Sequence, residues 1–90
     1  MSERRLSRSL EHEGYEVAVF AYRRGTVFDW HGHDEDKCDA VVSGTLRIEV
    51  EGGAAFVLGP GDRLYIPAGT SHRAEVVGPE TVISLDGTKR

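Results

Sequence analysis

The chain has 90 residues, 39% of them hydrophobic and 29% charged, which is enough for one folded domain and too apolar for a disordered segment. A net charge of −4 lacks the basic footprint of a nucleic-acid binder, and no apolar run is long enough to span a membrane or to act as a signal peptide. Cys38 is the sole cysteine, so no internal disulfide forms, and the expected compartment is a reducing cytoplasm.

In chain order, residues 1–13 read as an N-terminal arm. Arg4, Arg5 and Arg8 are solvated there, His12 is exposed, and 3–12 supports no more than one short turn. Residues 14–90 read as the folded domain. Eleven glycines divide it into short alternating or β-branched runs: 15–22, 38–43, 45–51, 54–58, 63–66, 72–77 and 81–85. In 45–51, Leu46, Ile48 and Val50 fall on one face and Arg47, Glu49 and Glu51 on the other, the period of a half-buried strand. Gly52-Gly53 suits a tight hairpin, because both central positions can take positive φ. Leu58-Gly59-Pro60-Gly61-Asp62 and Ile66-Pro67-Ala68-Gly69-Thr70 are further turns. Many short strands at this spacing predict an all-β sandwich or barrel. A core of this size is modest, so a second subunit covering one face is expected.

Two of the four histidines, His31 and His33, stand one residue apart. On an extended strand they would share a face, about 6–7 Å apart, and two neutral imidazoles so placed can converge on one ion. His72 follows the turn at Pro67 and Gly69, a bend that can return the chain opposite the first pair inside a barrel mouth. Three protein ligands leave coordination positions open, the pattern of catalytic metal sites.

Gly25-TVFDW-His31-Gly32-His33-DED-Lys37, with Gly44 seven residues on, matches a first motif G-x5-H-x-H-x(3,4)-E-x6-G except at Lys37. Gly61-DRLYI-Pro67-Ala68-Gly69-TS-His72-RAE-Val76 matches a second, G-x5-P-x-G-x2-H-x3-N, except at Val76. In these residues the chain resembles the cupin family. The resemblance implies an all-β double-stranded β-helix (jelly-roll) barrel in a single domain, often a homodimer, with a metal held by the motif histidines. It leaves the metal open among Fe, Zn, Ni, Cu and Mn, all of which accept imidazole.

Lys37 stands where the family's glutamate usually completes the metal shell. A protonated ammonium is no ligand and repels a cation, and deprotonating it near a metal is possible but costs free energy. If Lys37 faces inward, strand parity turns Asp39 and Val41 inward too, and Cys38 and Ala40 outward. The fourth position then goes to water, to Asp39, or, with a bulge, to Cys38, in that order; Glu35 is a weaker candidate. Trp30 is read as packing in an intersubunit or intersheet core, and Phe20, Phe28 and Phe56 as core or interface. Tyr65 is read as a packing residue with its hydroxyl at the surface. Asp34, Glu35 and Asp36 are read as a solvated loop.

Three functions fit these residues. One is a metal-dependent enzyme on a small oxygen-rich (carboxylate) substrate, with Lys37 as acid, base or substrate anchor. Another is a metal- or small-ligand-binding module without turnover. The third is a metal-free dimeric barrel with Lys37 in the ion's place.

Overall fold

The seven runs between the glycines, with an eighth strand over Val27–His31 that was not among them, pair into two four-stranded antiparallel sheets. The structure, a computed structural model, describes residues 2–89; Met1 and Arg90, the ends of the two segments expected above, lie outside it. The strands are β1 (Glu16–Tyr22), β2 (Val27–His31), β3 (Asp36–Ser43), β4 (Leu46–Val50), β5 (Ala55–Leu58), β6 (Arg63–Ile66), β7 (His72–Val76) and β8 (Val82–Lys89). One sheet has the order β1-β8-β3-β6 and the other β2-β7-β4-β5. Sequence neighbours such as β1 and β2 thus lie in different sheets, and the chain winds between the two as a double-stranded β-helix. No helix among the described residues is long and apolar enough to cross a membrane.

Alternation builds the core. Val41, Leu46, Ile48, Leu58, Ile66, Val76 and Val82 point between the sheets and form one buried cluster. The turns behave as their residues require. Gly52 and Gly53 both take positive φ, and Gly53 N–H closes onto the Val50 carbonyl at 3.1 Å. Gly44 has φ of 82° and sits so close to the neighbouring chain that a Cβ there would lie 2.8 Å from the Thr81 carbonyl oxygen. Only glycine fits that corner of the first motif.

The N-terminal segment differs from the expectation of a solvated arm with one turn. Glu3–His12 is a ten-residue helix, α1, with Ser2 as N-cap accepting from Arg5 N–H. Leu6 and Leu10, one turn apart on one face, are buried with Tyr15, Cys38, Ala40 and Leu85. Arg63 and Glu13 clasp the helix end to β6 with two hydrogen bonds of 2.8 and 2.6 Å. Arg4, Arg5, Arg8 and His12 remain exposed, as expected.

Candidate metal centre

Local hydrogen bonding brings the two histidine segments together. His31 ends β2 and stands opposite His72, the first residue of β7, in the sheet register. Pairing is irregular between Phe28 and His31, so β2 closes with a bulge and does not run straight through His33. His33 lies beyond the strand end. Its carbonyl accepts from Gly69 N–H at 2.8 Å, and Asp36 accepts from Ala68 N–H at 2.9 Å. The Pro67–Thr70 turn, which needs φ of 80° at Gly69, is thereby tied to the loop that carries His33. Asp36, expected in a solvated loop, holds this junction.

The three rings face one another. Centroids lie 4.3 Å apart for His31 and His72, 5.0 Å for His31 and His33, and 5.4 Å for His33 and His72. One nitrogen of each ring lies within 4.8 Å of the other two. The Nδ1 of His31 is 2.7 Å from the Asp29 carbonyl oxygen, and the Nδ1 of His72 is 3.1 Å from that of Thr70. A carbonyl only accepts, so both Nδ1 atoms carry the proton and both Nε2 lone pairs are free for an ion. Burial lowers the pKa of His33 and of His72, and the neighbouring histidines and Lys37 lower them further. Neutral rings are the metal-binding form, so the donor set suits a borderline divalent transition metal.

The opposite wall comes from the other sheet. Lys37, 9% exposed, donates to Asp86 Oδ2 at 2.9 Å and to Thr88 Oγ1 at 2.7 Å. Asp39 faces the same pocket but lies outside the group of three convergent histidines. Its burial and the adjacent Asp86 carboxylate push its pKa up to about 7, against the pull of Lys37. Strand parity is as expected: Lys37 and Asp39 line the pocket, while Cys38 turns away. Cys38 is buried under α1 and is therefore no candidate for the fourth ligand. Burial raises its thiol pKa.

The pocket encloses about 170 Å³. That compares with the roughly 150 Å³ cavity that holds a benzene in a protein core, so the pocket has room for a small molecule or for the end group of a larger one. Phe20, Tyr22 and Phe28 form its aromatic side, with Tyr22 and Phe28 edge to face at 4.7 Å. Phe56 is exposed at the opposite edge of the barrel, and Tyr65 is exposed beside Cys38. Trp30 does not enter the core between the sheets: it is 45% exposed in the single chain, with the Arg73 guanidinium 5.8 Å from its ring. Asp86 and Thr88 were missed in the sequence because the last strand was read as 81–85. Continued alternation at Ser84, Asp86 and Thr88 was the available signal.

A double-stranded β-helix with three inward imidazoles at the mouth and a polar wall opposite defines a cupin barrel. The sequence profile described as "Cupin domain" matches residues 18–86, and the chain belongs to that family. No curated protein matches it. Among solved structures it is similar to KdgF from Halomonas sp. at 28% identity and a TM-score of 0.72, over 86% of this chain and 70% of that one. It is also similar to a candidate mannose-6-phosphate isomerase from Ralstonia eutropha JMP134, at 30% identity and a TM-score of 0.74, over 86% and 75%. The DMSP lyase DddQ from Ruegeria pomeroyi DSS-3 shares the fold at 22% identity and a TM-score of 0.75; this chain covers 86% of itself but only 39% of that enzyme's length.

Proposed function

We propose that this protein holds one divalent transition metal through His31, His33 and His72 and acts in the cytoplasm, as a homodimer, on a small oxygen-rich, carboxylate-bearing molecule. The observation that carries this reading is the ring of three histidines, two of which have their Nδ1 protons committed to backbone carbonyls. Lys37 does not argue against an ion, because Asp86 lies 2.9 Å from its ammonium and offsets the charge. The ion would act as a Lewis acid toward a bound oxygen and leave its remaining positions to water and ligand.

The chain's own residues do the rest. The Lys37 ammonium has three protons and spends two on Asp86 and Thr88; the third is available to a ligand carboxylate. Asp39, whose pKa of about 7 lets it hold or release a proton near neutrality, faces the same space and serves as acid or base rather than as a metal ligand. The aromatic side formed by Phe20, Tyr22 and Phe28 offers apolar surface to the carbon skeleton of a ligand. The lyase and candidate isomerase among the neighbours support small-molecule chemistry in a barrel of this kind.

Elemental analysis of the protein as purified tests the reading. About one equivalent of a single transition metal per chain is expected, and about none in a folded His72→Ala variant. A metal-free parent that also fails to take up Zn, Fe, Ni, Cu or Mn on titration would leave only the scaffold.

A further inference from the structure

The pocket wall formed by β3 and β8 sets two acids side by side. In the register of these strands Asp39 stands directly opposite Asp86, and Lys37 stands opposite Thr88 one row away. Lys37, Asp39 and Asp86 all line the pocket that holds the three histidines. Two like charges facing each other across a strand pair are destabilising. The two carboxyls are nevertheless hydrogen-bonded to each other. A carboxylate only accepts, so this bond requires one of the two to carry a proton. The Lys37 ammonium, 2.9 Å from Asp86 Oδ2, decides which. It favours an ionised Asp86, and Asp39 is then the carboxylic acid that donates to it. The raised pKa of Asp39, about 7, agrees with that assignment.

We infer that Asp39 and Asp86 work together as an acid–base pair sharing one proton, and that the pair enolises a small 2-oxo acid held by Lys37. The inference deepens the carboxylate reading above and rests on its ligand, not on its ion. A 2-oxo acid gives every group on this wall a role. The third ammonium proton of Lys37 takes the carboxylate. Because that nitrogen touches Asp86, the carbons next to the carboxylate fall beside the pair. The ketone oxygen accepts from Asp39, and the C–H bond beyond the ketone meets Asp86. The rest of the carbon chain lies on Phe20, Tyr22 and Phe28. A ligand without the ketone would leave the Asp39 proton no such acceptor, and one without that C–H would leave Asp86 nothing to abstract.

The step balances within the pair. The C–H bond breaks and its proton goes to Asp86. The electron pair of that bond becomes the carbon–carbon double bond of the enol. The π pair of the ketone moves onto its oxygen, which takes the proton of Asp39. The two carboxyls hold one proton before the step and one after it, so no oxidant, reductant or further reactant is consumed. In heavy water Asp86 exchanges its proton for a deuteron, and reversal of the step places that deuteron on carbon.

Two measurements test this, folding of each variant being checked by circular dichroism. Infrared spectroscopy of the metal-stripped protein at about pH 6, where ordinary carboxyls are ionised, reads a protonated carboxyl directly. The parent shows the carbonyl band of such a group, and Asp39→Asn loses it. Nuclear magnetic resonance then follows deuterium uptake at C3 of pyruvate and of 2-oxobutyrate in heavy water, before and after Zn is added back. The parent exchanges faster than buffer alone. Asp39→Asn and Asp86→Asn each slow the exchange by at least about a hundredfold. Lys37→Met raises the concentration for half-saturation by at least about fivefold, since it removes a charged hydrogen bond to the carboxylate. A missing band, exchange at the buffer rate with and without Zn, or exchange that survives both asparagine variants overturns the inference. Metal content, read on the same protein before stripping, keeps the two readings apart. A protein that holds a metal but shows neither band nor exchange retains the function proposed above and loses the carboxyl pair; one that exchanges but takes up no metal does the reverse.

Discussion

Asp39 is the residue whose surroundings oppose its charge most directly. Its pKa rises from the usual 3.8 to about 7, chiefly through burial and then through the Asp86 carboxylate. The folded chain therefore binds more protons at this position than the unfolded chain between those two values. The contribution of Asp39 to stability falls as pH rises through that window and stays low above it. Asp39→Asn keeps the size and a donor toward Asp86 but never ionises. The variant is expected to gain at least about 1 kcal/mol over the parent at pH 8, or roughly 4–8 °C in Tm, and to match it near pH 4. Melts at several pH values check this; a gain independent of pH would show that Asp39 carries no such cost. Lys37 is the opposite case, a charge whose partners are in place. Lys37→Glu restores the family's usual residue but sets a third carboxyl against Asp39 and Asp86. The metal-free variant should melt lower than the parent, and an added divalent metal should raise its Tm by more than it raises the parent's. Calorimetric melts with and without Zn measure both shifts. That Lys37 and Asp39 share one face was legible from strand parity, while the inward direction of that face came from the structure. Their partner Asp86 was not legible, because pairing of β3 with β8 joins residues nearly fifty positions apart.

At the level of elements, seven of the eight strands were legible, and β2 and the helix were not. β4 shows why the strands were: Leu46, Ile48 and Val50 alternate with charge, and glycines mark both ends. β2 gave a weaker signal because its alternation breaks at the bulge before His31. α1 has only two buried apolar residues, Leu6 and Leu10, among ten, too few for a helical stripe to stand out. Its Ser2 cap, acidic first turn at Glu3 and positive-φ Gly14 after the end were present in the sequence but carry meaning only with a surface for the two leucines to meet. That surface is the outer face of β3 and β8. Leu10 is fully buried there, so Leu10→Ala should cost about 2–4 kcal/mol in urea unfolding. A loss below about 0.5 kcal/mol, the range of surface positions, would mean that the helix is not anchored by this contact.

Over the whole molecule, the two motifs were readable as motifs because each position answers a local requirement. Gly44 meets a backbone corner that excludes a Cβ, and Gly69 takes the left-handed turn that presents His72. What the sequence could not convey is how the two segments are fastened, which depends on the Gly69 N–H bond to His33 and the Ala68 N–H bond to Asp36. The molecule has two apolar clusters, one between the sheets and one beneath α1, and β3 contributes to both. Cys38 lies on that shared strand, facing the helix, and is the chain's only thiol. It is therefore a built-in clock. The rate at which a maleimide reaches it counts how often α1 lifts away. If a metal ion added at the far side of the strand slows that clock, helix and histidines open as one unit; if the rate does not change, α1 detaches by itself while the barrel stays closed.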